Sequence, residues 1–165
     1  GYTTSGKIIV RPNGRVSSLD GDSFDITDPA TGEHFKCGVG IPDYLAPELQ
    51  HRRSLKDESS RFTKHTDEFS LAVHIFLLLF HYHPFLARSL KTYVQSSDVN
   101  QIDQNIANGG CAFVRPVNNV ALPVGAPELS RLPPFLQEDL QRALGYTALD
   151  HFNNSAQRTR AQTWN

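Results

Sequence analysis

The stretch from Asp67 to His81 constrains this chain most. From Leu71 to Phe80 it is apolar except for His74, and His83-Pro84 stops it. A run apolar nearly all round is expected to form a helix over about 67–81 that is packed on several sides. It is too short to span a bilayer. The remaining chain must therefore wrap around it. With 165 residues, 39% of them hydrophobic and 20% charged, the chain can bury one substantial core, so a single domain over 1–165 is expected.

Before that helix, Ile8-Ile9-Val10, Arg11-Pro12-Asn13-Gly14-Arg15 and Val16 read as a β-hairpin turned by Asn-Gly. Residues 20–47 are rich in Gly, Pro, Asp and Thr without a sustained period, which reads as a long loop. Ala46 to His51 reads as a short helix, and Arg52 to Thr66 as an exposed polar connection. After the central helix, an amphipathic helix is expected over Leu86–Val94 and a weaker one over Asp98–Ala107. Phe135–Leu144 has near-helical apolar spacing with Gly145 suited to the cap, and a last short helix is expected over Gln157–Trp164. The fold class is therefore mainly α with a small β-hairpin.

The formal net charge of -1 gives no electrostatic footprint for nucleic acid or an anionic membrane. Cys37 and Cys111 make neither a disulfide framework nor a metal spacing, so a reduced, cytoplasmic setting is expected. Nothing reads as a signal peptide, and Gly1 in a chain without methionine reads as the start of a piece of a longer protein. His81 and His83 invite a metal reading, but no carboxylate cluster accompanies them, and a packed or surface pair is the simpler one.

Four motifs fall in a fixed order: Asp20-Gly21-Asp22, Gly40-Ile41-Pro42-Asp43-Tyr44-Leu45-Ala46-Pro47-Glu48, Asp67-Glu68-Phe69-Ser70-Leu71-Ala72, and Arg158 near the far end. Together they resemble the large, C-terminal lobe of a eukaryotic-type protein kinase, an α+β kinase fold here lacking its N-terminal lobe. The resemblance makes 20–48 the activation segment and about 86–164 the C-terminal helices. It implies that Asp20 holds the magnesium that bridges the ATP phosphates, with Asp22 as a second oxygen ligand. It implies that Glu48 pairs with a buried arginine, Arg158 matching and Arg160 as rival, and that Asp67 anchors the catalytic loop. Asp67 is equally compatible with a plain helix N-cap. Thr27 and Thr31 fall where activation-segment phosphorylation would occur, although solvated loop threonines are the simpler reading.

Asp20-Gly21-Asp22-Ser23-Phe24 and Pro47-Glu48-Leu49-Gln50 look closest to a bacterial Ser/Thr kinase-like group. Members of that group resemble partners of a serine/threonine phosphatase. In this chain the family's proton-accepting Asp falls at Tyr2, its second magnesium ligand at Lys7, and its supporting threonine at Ile41. A tyrosine with a pKa of about 10 cannot take the substrate proton near neutral pH. A lysine ammonium has no lone pair for magnesium.

The resulting expectation is a pseudokinase-like scaffold that binds a protein partner or substrate and is inactive as it stands, with no nucleic-acid or membrane partner. ATP and magnesium are implied only for an active full-length parent; none is expected for this piece. Two alternatives stay open. One is an active Ser/Thr kinase, transferring the ATP γ-phosphate once the missing lobe and catalytic loop are supplied. The other is a purely structural helical adaptor.

Overall fold

The computed structural model describes residues 8–19, 21, 24–50, 55, 60–89, 101–118, 120–146 and 155–164. In chain order it contains β1 (Ile8–Val10), β2 (Val16–Ser18), β3 (Ile26–Thr27), β4 (His34–Phe35), α1 (Pro47–Gln50), α2 (Lys64–Phe80), β5 (Arg88–Ser89), α3 (Gln101–Ala107), β6 (Val120–Ala121) and α4 (Pro134–Leu144). Short 3-10 turns lie at Pro42–Tyr44, Leu129–Arg131, Ser155–Gln157 and Ala161–Trp164. The architecture is mixed, with helices carrying the core and the strands confined to antiparallel pairs β1–β2, β3–β4 and β5–β6.

The first hairpin forms as expected, with Val10 opposite Val16 and Ile8 opposite Ser18. Its turn is not a two-residue Asn-Gly turn. Only Gly14 is left-handed, at φ 76°, while Asn13 Oδ1 accepts from the Arg15 N–H at 3.1 Å. The 20–47 stretch is more structured than a loop. Asp25 accepts from His34 Nε2 at 2.8 Å and from the Cys37 N–H at 3.3 Å, which ties down the β3–β4 hairpin. Asp28 folds its tip by accepting from the Ala30 N–H. That bond, with one from the Thr31 hydroxyl, holds the Asp28 carboxyl below its ordinary range.

The central helix is present but starts earlier than the apolar run. Thr63 is the N-cap: its side chain accepts from the His65 and Thr66 N–H groups, and Thr66 Oγ1 accepts from the Thr63 N–H at 2.9 Å. This reciprocal cap satisfies N–H groups that the first turn leaves open. Asp67 therefore lies inside the helix and is not its cap. The last helical residue is Phe80, and His81 closes the helix in the left-handed conformation at φ 56°. The helix is not covered all round either, because Leu78 is 77% exposed.

The buried face of α2 (Phe69, Ala72, Val73, Phe76, Phe80) is the axis of one continuous core that takes in Phe85, Ile106, Cys111, Phe113, Leu140 and Leu144. Aromatic rings dominate its centre. Phe76 lies 4.6 Å from Phe80 and 4.9 Å from Phe113, the latter edge-on. Helix α4 packs on α2 through Leu140, Ala143 and Leu144, and α3 contributes Ile106.

Two expectations for the second half need correction, those for 86–94 and 157–164. Leu86–Ser89 is not helical: Arg88 pairs with Ala121 and Ser89 with Val120, and residues 90–94 lie outside the described residues. Gly145 does cap α4, as expected, at φ -89° with its N–H donating to the Gln141 carbonyl. The stretch 157–164 is two 3-10 turns with Arg158 between them, not one helix. Of the expected 98–107 helix, Gln101–Ala107 is present. Among the described residues no helix is long and apolar enough to cross a membrane.

Candidate functional site

Arg158 is 5% exposed and forms a two-pronged pair with Glu48: Nη1 to Oε1 and Nη2 to Oε2, each at 2.7 Å. Nη1 also donates to the His65 carbonyl at 2.8 Å, and the guanidinium lies over the Phe69 ring, 5.4 Å from its centroid. One side chain thus fastens α1, the start of α2 and the end of the chain. The planar fork is what makes arginine suited to this. Arg160 is exposed, so it is not the partner.

The segment Ile41–Leu45 is held beside this pair from several directions. Gln50 Nε2 donates to the Pro42 carbonyl at 2.7 Å and to the Leu45 carbonyl at 2.8 Å. Ser70 Oγ donates to the Tyr44 carbonyl at 2.7 Å, and the Tyr44 ring stacks on His74 at 4.7 Å. His83 donates from Nε2 to the Asp43 carbonyl at 3.0 Å, while its Nδ1 accepts from the Phe85 N–H at 3.2 Å. Those two roles require the neutral ring. Burial correspondingly lowers the His83 pKa, with the bond to Asp43 acting against it. Ile41 sits at the N-cap of the Pro42–Tyr44 turn and makes no side-chain cap bond.

Asp67 is exposed on α2 and lines two cavities. One, of about 400 Å³, lies between the β1–β2 and β3–β4 hairpins and α2, with Phe24, Ile26, Leu71 and His74 in its wall. The other, about 730 Å³, is charged, with Lys64 and Glu68 facing Arg160 and Gln162. Thr27 is exposed in β3, and the Thr31 hydroxyl accepts from the Glu33 N–H. Tyr2, Lys7, Asp20 and Asp22 lie outside the described residues. The structure brings Glu48 and Arg158 together. Among the described residues no group of three His, Cys, Asp or Glu side chains is placed to hold a metal.

The two histidines of the 81/83 pair have separate jobs, His81 as the exposed helix end and His83 as the tie to Asp43. Sequence reasoning did not find Gln50, Ser70 or His83 as the groups that fix the 41–45 segment. Their targets are backbone carbonyls, which leave no trace in residue identity. No protein-family model matches the chain, and no curated protein matches it.

Proposed function

We propose that this chain is a protein kinase-like large lobe that works as a binding scaffold in signalling and not by phosphoryl transfer. The observation that carries the reading is the Glu48–Arg158 fork. The resemblance asks for a buried pair between the glutamate of Ala46-Pro47-Glu48 and a distant arginine, and it selects Arg158 over Arg160. A buried pair of this kind fixes geometry more than it adds stability, which suits a scaffold whose task is to hold a surface in place. The rigidly tied Ile41–Leu45 segment is compatible with that role.

The inactive half of the proposal rests on sequence. Tyr2 and Lys7 stand where a proton acceptor and a magnesium ligand are required, while Asp20 and Asp22 retain oxygen ligands. The partner is a protein, with a serine/threonine phosphatase as the class the resemblance favours, and the buried free thiols of Cys37 and Cys111 fit a reduced cytoplasmic setting.

The test is phosphotransfer from labelled ATP to a generic Ser/Thr substrate by the full-length parent, compared with its Asp20→Ala variant. The expected result is no transfer above the variant's background. Transfer that Asp20→Ala abolishes would establish the active-kinase alternative instead. Residues 1–165 alone are expected to show negligible ATP affinity, and micromolar binding in a calorimetric titration would overturn that expectation.

A further inference from the structure

His83-Pro84-Phe85 follows the end of α2 and carries Phe85 into the core. The Leu86 N–H donates to the His83 carbonyl at 2.9 Å, so residues 83–86 form a turn. Phe85 is fully buried, with its ring 5.8 Å from that of Phe69 and 6.1 Å from that of Tyr146. Both carbonyls inside the turn are occupied. That of Pro84 accepts from the Cys111 thiol at 3.2 Å, and that of Phe85 from Asn105 Nδ2 at 2.9 Å. Among the described residues the Phe85 N–H has one acceptor, Nδ1 of the His83 ring, at 3.2 Å.

A backbone N–H can only donate, so His83 Nδ1 must offer a lone pair. Nε2 is then the protonated nitrogen, and it donates to the Asp43 carbonyl at 3.0 Å. A second proton, taken from solvent, acts differently at the two ends of the ring. Nε2 keeps its bond to Asp43, while Nδ1 becomes a donor aimed at another donor. The Phe85 N–H is left buried without an acceptor, which costs more than the bond itself contributes. The titratable groups described around the ring are Asp43, Tyr44, His74, Asp103 and Cys111. Asp43 and His74 act on it by charge, with opposite signs. Tyr44 meets it edge-on at 6.2 Å, and His74 stacks on Tyr44 at 4.7 Å. On the α3 side, Asp103 interacts with Asp43, and burial holds the Cys111 thiol neutral.

We propose that His83 is a proton-sensing pin: the neutral ring seats the turn that carries Phe85 into the core, and protonation at Nδ1 releases the Phe85 end of that turn while the Asp43 end stays bound. Burial is the largest influence on the ring and lowers its pKa from the ordinary 6.5, with repulsion from His74 adding to it. The Asp43 carbonyl and carboxylate act against them without reversing the direction. Because the folded value lies below the unfolded one, the stabilisation is present above 6.5 and is lost as pH falls through the folded value. Asp103 has the opposite sign, since its carboxyl is raised to about 6 and its contribution is lost as pH rises. The pin stands on the two bonds of the His83 ring and is independent of the kinase-like reading.

The test is amide hydrogen exchange on residues 1–165 at pH 7.5 and 5.0, expressed as protection relative to the unstructured rate at each pH. Two amides are compared: Phe85, bonded to the ring, and Leu45, whose bond to the Pro42 carbonyl closes the turn around Asp43. Phe85 is expected to lose roughly tenfold in protection at the lower pH, the worth of about one hydrogen bond, while Leu45 keeps its own. His83→Gln carries no titratable group, so its Phe85 protection should be the same at both pH values. Nitrogen NMR of the wild-type ring needs no variant. It should find the proton on Nε2 at pH 7.5 and a titration below the ordinary histidine value. Equal protection of wild-type Phe85 at both pH values overturns the pin. So does an equal loss at Leu45, a Phe85 response that survives in His83→Gln, or a ring that carries its proton on Nδ1 at pH 7.5.

Discussion

Glu48 and Arg158 are 110 residues apart in sequence and meet through two 2.7 Å bonds, with the arginine side chain 3% exposed and the glutamate 17%. The pair is nearly dry, and the guanidinium's remaining contacts are the His65 carbonyl and the Phe69 ring. Removing one partner leaves a charge in a poorly hydrated place.

Glu48→Ala or Arg158→Ala is expected to cost about 3–5 kcal/mol each in urea denaturation. The double variant Glu48→Leu/Arg158→Met should cost clearly less than the sum, because it strands neither charge. Arg158→Lys should not rescue, since an ammonium cannot make both bonds in one plane. Additive single effects would show that the pair is not coupled.

The N-cap makes a smaller, separable prediction. Thr63→Ala removes the oxygen that receives the His65 and Thr66 N–H groups. It should destabilise by about 1 kcal/mol, and Thr63→Ser should restore most of the loss. Circular dichroism melts of the three proteins report this directly.

Side chains on one helix should differ sharply in tolerance. Phe76 is fully buried between Phe80 and Phe113, so Phe76→Ala is expected to cost about 3–5 kcal/mol. Leu78, two residues on, is exposed, and Leu78→Ser should change stability by no more than about 0.5 kcal/mol. Chemical denaturation midpoints at constant slope would measure both.

The contrast at Leu78 shows where sequence reading stops. An apolar run announces a helix and its approximate end, but which faces are covered depends on elements far along the chain. Thr63 was overlooked as the start because the apolar pattern begins only at Phe69, and the cap is made by polar residues ahead of it. Arg88-Ser89 carries no strand character, and its pairing with Val120-Ala121 is a tertiary fact with no local period to reveal it. Arg158 was legible only through the family resemblance of the motifs, which implies a partner arginine for Glu48. The ties to Ile41–Leu45 were not, because they end on main-chain carbonyls.

Cys111 gives a prediction with a pH sign. Its thiol is fully buried, donates to the Pro84 carbonyl at 3.2 Å, and is pushed up to about 12 by burial. At pH 8 the native protein should react at Cys111 far more slowly than the denatured chain, since the thiolate is the reactive form. Because the folded value lies above the ordinary one, this group's stabilisation is complete below about 9 and is lost as pH rises toward 12. Thiol-labelling kinetics with and without denaturant check the first point. An alkaline melt of Cys111→Ala, flatter than wild type, checks the second.

The 110-residue span of the Glu48–Arg158 fork also bears on how the chain reaches its native state. The β1–β2 and β3–β4 hairpins and the turns of α2 join near neighbours and can form on microsecond timescales. The fork closes one of the longest loops in the molecule, and its entropic cost falls due before the contact repays it. During synthesis Glu48 therefore leaves the ribosome long before its arginine exists. The nascent α1 corner is a waiting half-site, and the emergence of Arg158 completes the lock.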